Sequence, residues 1–441
     1  MFQFPVASLS WIFLGIEAVS LAVTILWLMR PLRRCSKLPL PEPTEGIAVT
    51  GTETEESAGE SGVTETIVEE KGAQTSVEGH EAVPDDGRPK ISVVVYSKTD
   101  EEVLGRCLEQ IYAQEYPDFE VIVVCDGASS EAEYIEDKYK ALYPQLYVTF
   151  IPPGSHNLSR RKLALTLGMK AAKGDVVVTT VSNFEIPSVL WLATLCSPLS
   201  DPSIVISLGY SHIKRGELHG PGRWYREFVS LMTDTQWIGY ALGGSPYRGD
   251  GYNLAFRRQV FFAHKGYSQT IYLQAGDDDI FVNEIVEPDN FALAIDSHSM
   301  LSTVWGESAN RVWSIRKEQY DFTSRWLPRG PFLRAGASSA MQWLAVLAYA
   351  GSVVTALPNI VPAIAGGVVL LLFWLAEIGA YRSAARRLNA TRLWFAVPLF
   401  NLIRPVCNAW FKFVHRNAKI KNFTWQRRRQ GKFRFKNKHK H

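Results

Sequence analysis

Four continuous runs rich in β-branched residues fall close together in the middle of the chain: ISVVVYS from Ile91, FEVIVVC from Phe119, LYVTFI from Leu146 and DVVVTT from Asp175. Runs that are apolar on both alternating faces belong to strands covered on both sides. Helical patterns lie between them. EEVLGRCLEQIYAQ places Leu104, Leu108, Ile111 and Tyr112 on one face, a second helix opens with acidic residues from Ser130, and SRRKLALTLGMKAA makes a third. Strands alternating with amphipathic helices predict an α/β fold on a mostly parallel sheet with right-handed crossovers. In such sheets ligands sit beyond the carboxyl ends of the strands.

Those ends carry a defined set of side chains. The first strand finishes at Tyr96 and Ser97, the second at Cys125, Asp126 and Gly127. The helix after the third opens with Arg160, Arg161 and Lys162, and the fourth strand runs into Ser182, Asn183, Phe184 and Glu185 ahead of Pro187. A carboxylate at one strand end can hold base or ribose donors, and cations at another can neutralise phosphates, which is what a nucleotide diphosphate requires. Asp126-Gly127 reads equally as a plain turn, since that dipeptide favours turns. Further on, QAGDDDIFVNEI sets Asp277, Asp278 and Asp279 after a glycine and before an apolar helix. One or two acids would cap that helix. Three adjacent ones repel, and such clusters share a cation or have a raised pKa. GDGYNLAFRR offers Asn253 and Arg257 on a strand facing the cleft, or else on an ordinary hairpin.

The ordered phrases ISVVVYSKTDEEVLGRCLEQIYAQEYPDFEVIVVCDGAS, RRKLALTLGMKAAKGDVVVTT, GDGYNLAFRR and GDDDIFVNEI resemble the family 2 glycosyltransferases across roughly residues 89–326. The resemblance implies a GT-A-type fold, a nucleotide-sugar donor and inverting transfer to a lipid-linked or glycan acceptor. By that likeness Asp126 contacts the nucleotide base, and Asp277-Asp278 stands where the family carries its Glu-Asp pair, with Asp278 as base and Asp277 in support. Ser97, Arg161, Lys162 and Asn253 complete the donor side. The family's Asp-x-Asp at the end of the fourth strand, which holds Mg2+ or Mn2+ on the diphosphate, is absent. Glu185 and Asn183 are the remaining hard-oxygen ligands there. Arg325-Trp326 is only faintly like the QxxRW of processive members, because Phe322 stands where the glutamine belongs. A processive polysaccharide synthase and an inactive transferase fold serving as a membrane scaffold are the alternative readings.

Apolar stretches flank this domain. Ser8 to Leu28 is long enough to cross a ~30 Å hydrocarbon core, and Arg30, Arg33, Arg34 and Lys37 follow it, which marks a retained anchor with a cytoplasmic flank. Ser338 to Leu357 and Ile360 to Ala380 form a hairpin around Pro358 and Asn359, with a basic loop after it. Gly366 and Gly367 would permit close helix contact there. Leu393 to Val414, interrupted by Pro398, Arg404 and Pro405, reads as interfacial or re-entrant, with a fourth full span as the alternative. The formal charge of +3 on 441 residues hides strong segregation: an acidic stretch poor in aromatics follows the anchor, and the end is intensely basic. The first is expected to be a flexible tether. The second is expected to lie along anionic membrane lipids rather than nucleic acid. The expected organisation is an anchor over 1–37, a tether over 38–88, the catalytic domain over 89–330, a hairpin and interfacial segment over 331–415 and a basic tail over 416–441. Together with the resemblance, this implies a multi-pass protein of a bacterial inner membrane with its catalytic domain in the cytoplasm. Five scattered cysteines imply neither a disulfide framework nor a zinc site.

Overall fold

The computed structural model describes residues 6–42, 47, 88–98, 101–152, 158–303, 308–357 and 359–427. Almost all of the expected tether, Pro358 and the last fourteen residues of the basic tail lie outside the described residues.

In chain order the helices α1 (Val6–Trp27) and α2 (Met29–Cys35) precede β1 (Ile91–Ser97), α3 (Glu101–Tyr112), β2 (Phe119–Cys125), α4 (Ser129–Lys140), β3 (Leu146–Phe150), α5 (Arg160–Ala171) and β4 (Val176–Val181). Next come β5 (Phe184–Glu185), α6 (Trp191–Cys196), β6 (Ile206–Leu208), β7 (Ser211–Ile213), α7 (Arg223–Ala241), β8 (Leu254–Arg257), α8 (Arg258–Ala263) and α9 (Asp279–Ile285). The chain continues through β9 (Phe291–Leu293), β10 (Leu301–Thr303), α10 (Ala309–Thr323), α11 (Arg329–Val354), α12 (Val361–Arg387) and α13 (Val397–Arg427).

Seven strands form one sheet in the order β3-β2-β1-β4-β8-β6-β9. The four β-branched runs are its parallel half, with Ser97 opposite Cys125 and Tyr96 opposite Val181, so their carboxyl ends share one edge. β8 runs antiparallel to both β4 and β6. Every residue of β1 and β4 is buried, as continuous apolar runs require. The helical face read from the sequence packs as expected: Leu104, Leu108 and Ile111 are buried, and Tyr112 stacks on Tyr143 at 4.0 Å. A second, three-stranded sheet in the order β5-β10-β7 stands beyond the end of β4. The α/β class and the mostly parallel sheet with flanking helices are therefore present.

Among the described residues, three helices are long and apolar enough to cross a membrane: Ser8–Cys35, Arg329–Val354 and Val361–Arg387. The last two extend beyond the stretches read from apolarity alone, because polar turns continue the helices at one end of each. Gly366 does permit close contact. A Cβ there would lie 2.6 Å from the Glu17 carboxylate and 3.2 Å from Tyr349, so α12 touches both α1 and α11. Gln342 and Asn401 both donate to Glu377 Oε1, at 2.8 and 2.7 Å, which ties α11, α12 and α13 together. α13 continues as helix through Pro405 and is not among the candidate spans.

Candidate active site

Asp126 follows β2 and is held at the sheet edge by its own N–H, which donates to the Ser97 carbonyl at 2.7 Å. Its carboxylate accepts from Tyr96 Oη on one oxygen and from Arg160 on the other. Ser97 is fully buried below it. Burial and the neighbouring carboxylate push the Tyr96 phenol far up, so it stays a proton donor. Two side chains thus converge on Asp126.

The three cations at the start of α5 go three ways, as successive positions 100° apart on a helix must. Arg160 turns to Asp126. Arg161 ion-pairs with Asp277 at 2.7 Å, donates to the Gly251 carbonyl at 2.8 Å and lies over the Tyr252 ring at 4.3 Å. Burial alone would lower its pKa, but Asp277, Tyr252, Asp278 and Tyr96 together more than offset that. Lys162 has no exposed surface, and its Nζ donates to the Thr270 carbonyl at 2.9 Å. Burial pulls it down to about 8 against the attraction of Asp277 and Asp278. Its expected contact with a diphosphate is not formed by this geometry; the ammonium points into the fold.

The acidic triplet begins after Gly276, whose φ of +92° lets the chain turn before α9. The three carboxylates have different surroundings. Asp277 is buried and faces Arg161. Asp279, 1% exposed, ion-pairs with Arg248 at 2.9 Å and accepts from Thr323 Oγ1 at 2.6 Å. Asp278 is half-buried and caps α9, accepting from the Asp279 N–H at 2.6 Å and the Gly251 N–H at 3.4 Å. Burial, with the Asp279 and Asp277 charges, pushes its carboxyl well above the ordinary range, and Arg161 pulls the other way. Burial raises Asp279 to about 6, held back by Arg248 and Thr323. Gly251 is what lets this loop close. A Cβ there would come within 2.8 Å of Asp278 Cβ and 3.2 Å of Asp277 Oδ2.

Other expected residues sit elsewhere. Asn253 is fully buried. Its amide nitrogen donates to the carbonyls of Tyr210 and Ser299 at 2.9 and 2.6 Å, and its oxygen accepts from Trp191 Nε1 at 3.0 Å. Those bonds join the turn before β8 to α6 and to the segments at Tyr210 and Ser299, so the Asn253 amide is spent inside the fold. Arg257 likewise spends its guanidinium on the carbonyls of Ile204, Leu199 and Asp201. Phe184 faces the site, stacked on Tyr252 at 5.0 Å with Arg316 over both rings. Glu185, beside it on β5, accepts from Ser302 at 3.1 Å and lies 3.4 Å from Lys214 Nζ. No group of three His, Cys, Asp or Glu side chains able to hold a metal occurs among the described residues. Trp326 packs on Phe322 at 4.7 Å beside Leu273, Ala275 and Ile280, against the acidic loop. Arg248, Tyr252 and Arg316 were not legible as site residues. Their partners lie far off in sequence, and only the GDG phrase between the first two hinted at them.

Residues 89–199 match the family model described as Glycosyltransferase like family 2, which covers the Asp126 and Arg161 side of the site and ends before the acidic triplet. No curated protein matches the chain. Among solved structures, the chain is similar to the mannosyltransferase PcManGT from Pyrobaculum calidifontis in complex with GDP-Man and Mn2+. The identity is 19% over 92% of this chain and 99% of that one, with a TM-score of 0.49. It is similar to glucosyl-3-phosphoglycerate synthase from Mycobacterium tuberculosis in complex with Mn2+, UDP and glucosyl-3-phosphoglycerate, at 19% identity over 54% and 80% of the two chains and a TM-score of 0.35. S. aureus TarS 1-349 with UDP-GlcNAc gives 13% identity over 68% and 88%, with a TM-score of 0.37. At these identities and scores nothing about the chemistry of this chain follows from the three structures.

Proposed function

We propose that this chain, with its glycosyltransferase-like family 2 segment, is a membrane-anchored transferase. It would move a sugar from a nucleotide-sugar donor to a lipid-linked or polysaccharide acceptor by inverting displacement. The observation that carries the reading is the inequality of the three acids. Asp277 and Asp279 each have an arginine, and Asp278 alone is partly exposed without an ion pair of its own among the described residues. An inverting transfer needs one base to take the proton of the acceptor hydroxyl as it attacks the anomeric carbon. A carboxylate raised by burial and like charge, and oriented by two backbone N–H groups, suits that task.

Asp126, with Tyr96 and Arg160 already on it, keeps lone pairs for a base or ribose donor. Arg160, on Asp126, and Arg161, on Asp277, would meet the negative charge left on the diphosphate. Asn183 and Glu185 would hold a divalent cation, which when bound supplies further neutralisation of that charge. The test is Asp278→Asn, assayed by release of nucleoside diphosphate from a panel of UDP- and GDP-sugars with membrane lipid extract as acceptor. Turnover should fall by roughly 10²–10⁴-fold while nucleotide-sugar binding survives. Near-full turnover would end the assignment.

A further inference from the structure

The third acid of the triplet plays no part in the chemistry above, yet it is one of the most deeply buried ions in the domain. Arg248 and Asp279 are 2% and 1% exposed and pair at 2.9 Å. The Arg248 guanidinium lies 4.0 Å over the Tyr320 ring and donates to the Tyr320 carbonyl at 3.3 Å. Thr323 Oγ1, one turn further along α10, donates to Asp279 Oδ2 at 2.6 Å. Replacing a buried ion pair with apolar side chains of similar volume is often neutral for stability, so stability alone is a weak reason for its presence. The backbone supplies a stronger one. The same Asp279 whose side chain is fastened to Arg248 and α10 points its N–H at Asp278 Oδ1, at 2.6 Å.

We propose that the Arg248–Asp279 pair, fastened to α10 through Thr323, is a positioning unit for Asp278: it fixes the direction of that carboxylate and sets the balance of charge facing it. This rests on Asp278 being the base. The groups facing Asp278 are Arg161 and Lys162 from α5, Arg248 and Tyr252 from the loop before β8, Tyr267 after α8, and Asp277 and Asp279 on its own loop. Arg161 balances Asp277, and Arg248 balances Asp279. Removing one member of the outer pair leaves the other's charge facing Asp278.

The two halves therefore act with opposite sign. Arg248→Met removes the cation that holds the adjacent carboxyls down, so Asp279 and Asp278 together keep their protons to higher pH. Asp279→Asn leaves an uncompensated cation, so Asp278 loses its proton at lower pH. The full-length protein in lipid nanodiscs is labelled with a carbodiimide, which reacts with protonated carboxyls, and labelling of Asp278 is followed against pH by peptide mass spectrometry. The midpoint should rise in Arg248→Met and fall in Asp279→Asn, each by about one pH unit or more. In the double variant it should return towards the parent value. The acid limb of the turnover profile should move with it. Shifts in the same direction, or none, overturn the proposal, as does a double variant no closer to the parent than its singles. If Arg248→Met does not fold, Arg248→Gln keeps a donor for Asp279 while removing the charge, and the same rise is required. Labelling does not depend on turnover, so full activity in Asp278→Asn would refute the base while the midpoints judge the positioning unit separately.

Discussion

Asp126 shows what one carboxylate can be asked to do. It accepts from Tyr96 and Arg160 and still faces the edge where a nucleotide would lie. Asp126→Ala should weaken nucleotide-sugar binding by about 10- to 150-fold, the worth of one charge-assisted bond of roughly 1.5–3 kcal/mol, as read by calorimetry on the folded variant. Unchanged affinity would return Asp126 to a turn role. Gly251→Ala should abolish turnover, because the added methyl meets Asp278 and Arg161 on a loop that both the acid and the cation close upon. Asp234 gives a pH test outside the site. Burial raises it to about 7, against the pull of Arg316, and Tyr210 donates to it at 3.1 Å. The folded protein therefore holds this proton where the unfolded chain has lost it, and stability from this group falls as pH rises from about 4 through 7. Asp234→Asn, which keeps an acceptor for Tyr210, should melt above the parent at pH 8, and the gap should narrow towards pH 5. A gap independent of pH would show that Asp234 titrates normally.

Among the elements, the parallel half of the sheet and the first turn of α5 show where sequence was enough and where it was not. Four β-branched runs could only be covered strands, so the edge carrying Ser97, Asp126 and Asn183 followed from order alone. The acidic triplet was equally plain, because three adjacent carboxylates after a glycine have few uses. Side-chain direction was not legible. Asn253, just before β8, turns into the fold, where its partners Tyr210, Ser299 and Trp191 come from distant segments. Arg316 and Arg248 reach Ser211 and Asp279 across 105 and 31 residues, which no local pattern announces. The consecutive cations of α5 can be separated experimentally. Arg161→Ala removes a partner of Asp277 and the cover on Tyr252, so both binding and turnover should fall. Lys162→Met should leave nucleotide-sugar affinity within about twofold, because Nζ is spent on a carbonyl inside the fold. A large loss of affinity in Lys162→Met, measured on a variant of unchanged melting temperature, would restore it to the donor site.

Across the whole molecule, the helices at the two ends of the chain are built into the central domain. Leu28, Leu32 and Cys35 share one apolar core with Phe228, Trp237 and Ile238 of α7 and with Tyr381, Ala384 and Leu388 at the end of α12. Cutting the chain to residues 88–330 would uncover that face of α7, and the fragment should aggregate in aqueous buffer where the full chain in lipid does not. The same contacts bear on orientation. α2 ends the first candidate span and packs on α7, Gln236 of α7 donates to the Pro331 carbonyl at the start of the second, and Arg215 donates to the Asn389 carbonyl just past the third. All three connections therefore meet the domain on one side. Arg30, Arg33, Arg34 and Lys37 lie there at and just past the end of the first, and Arg386, Arg387 and Arg392 at and just past the end of the last. Short loops rich in Lys and Arg stay in the cytoplasm, so we expect the domain and the C-terminus there and the turn near Asn359 outside. A reporter that works only outside the cytoplasm should be silent when fused after His441 and active when inserted at Asn359. The reverse pattern would place the acidic triplet outside, away from cytoplasmic nucleotide sugars. It would remove the orientation and, with it, the proposed donor.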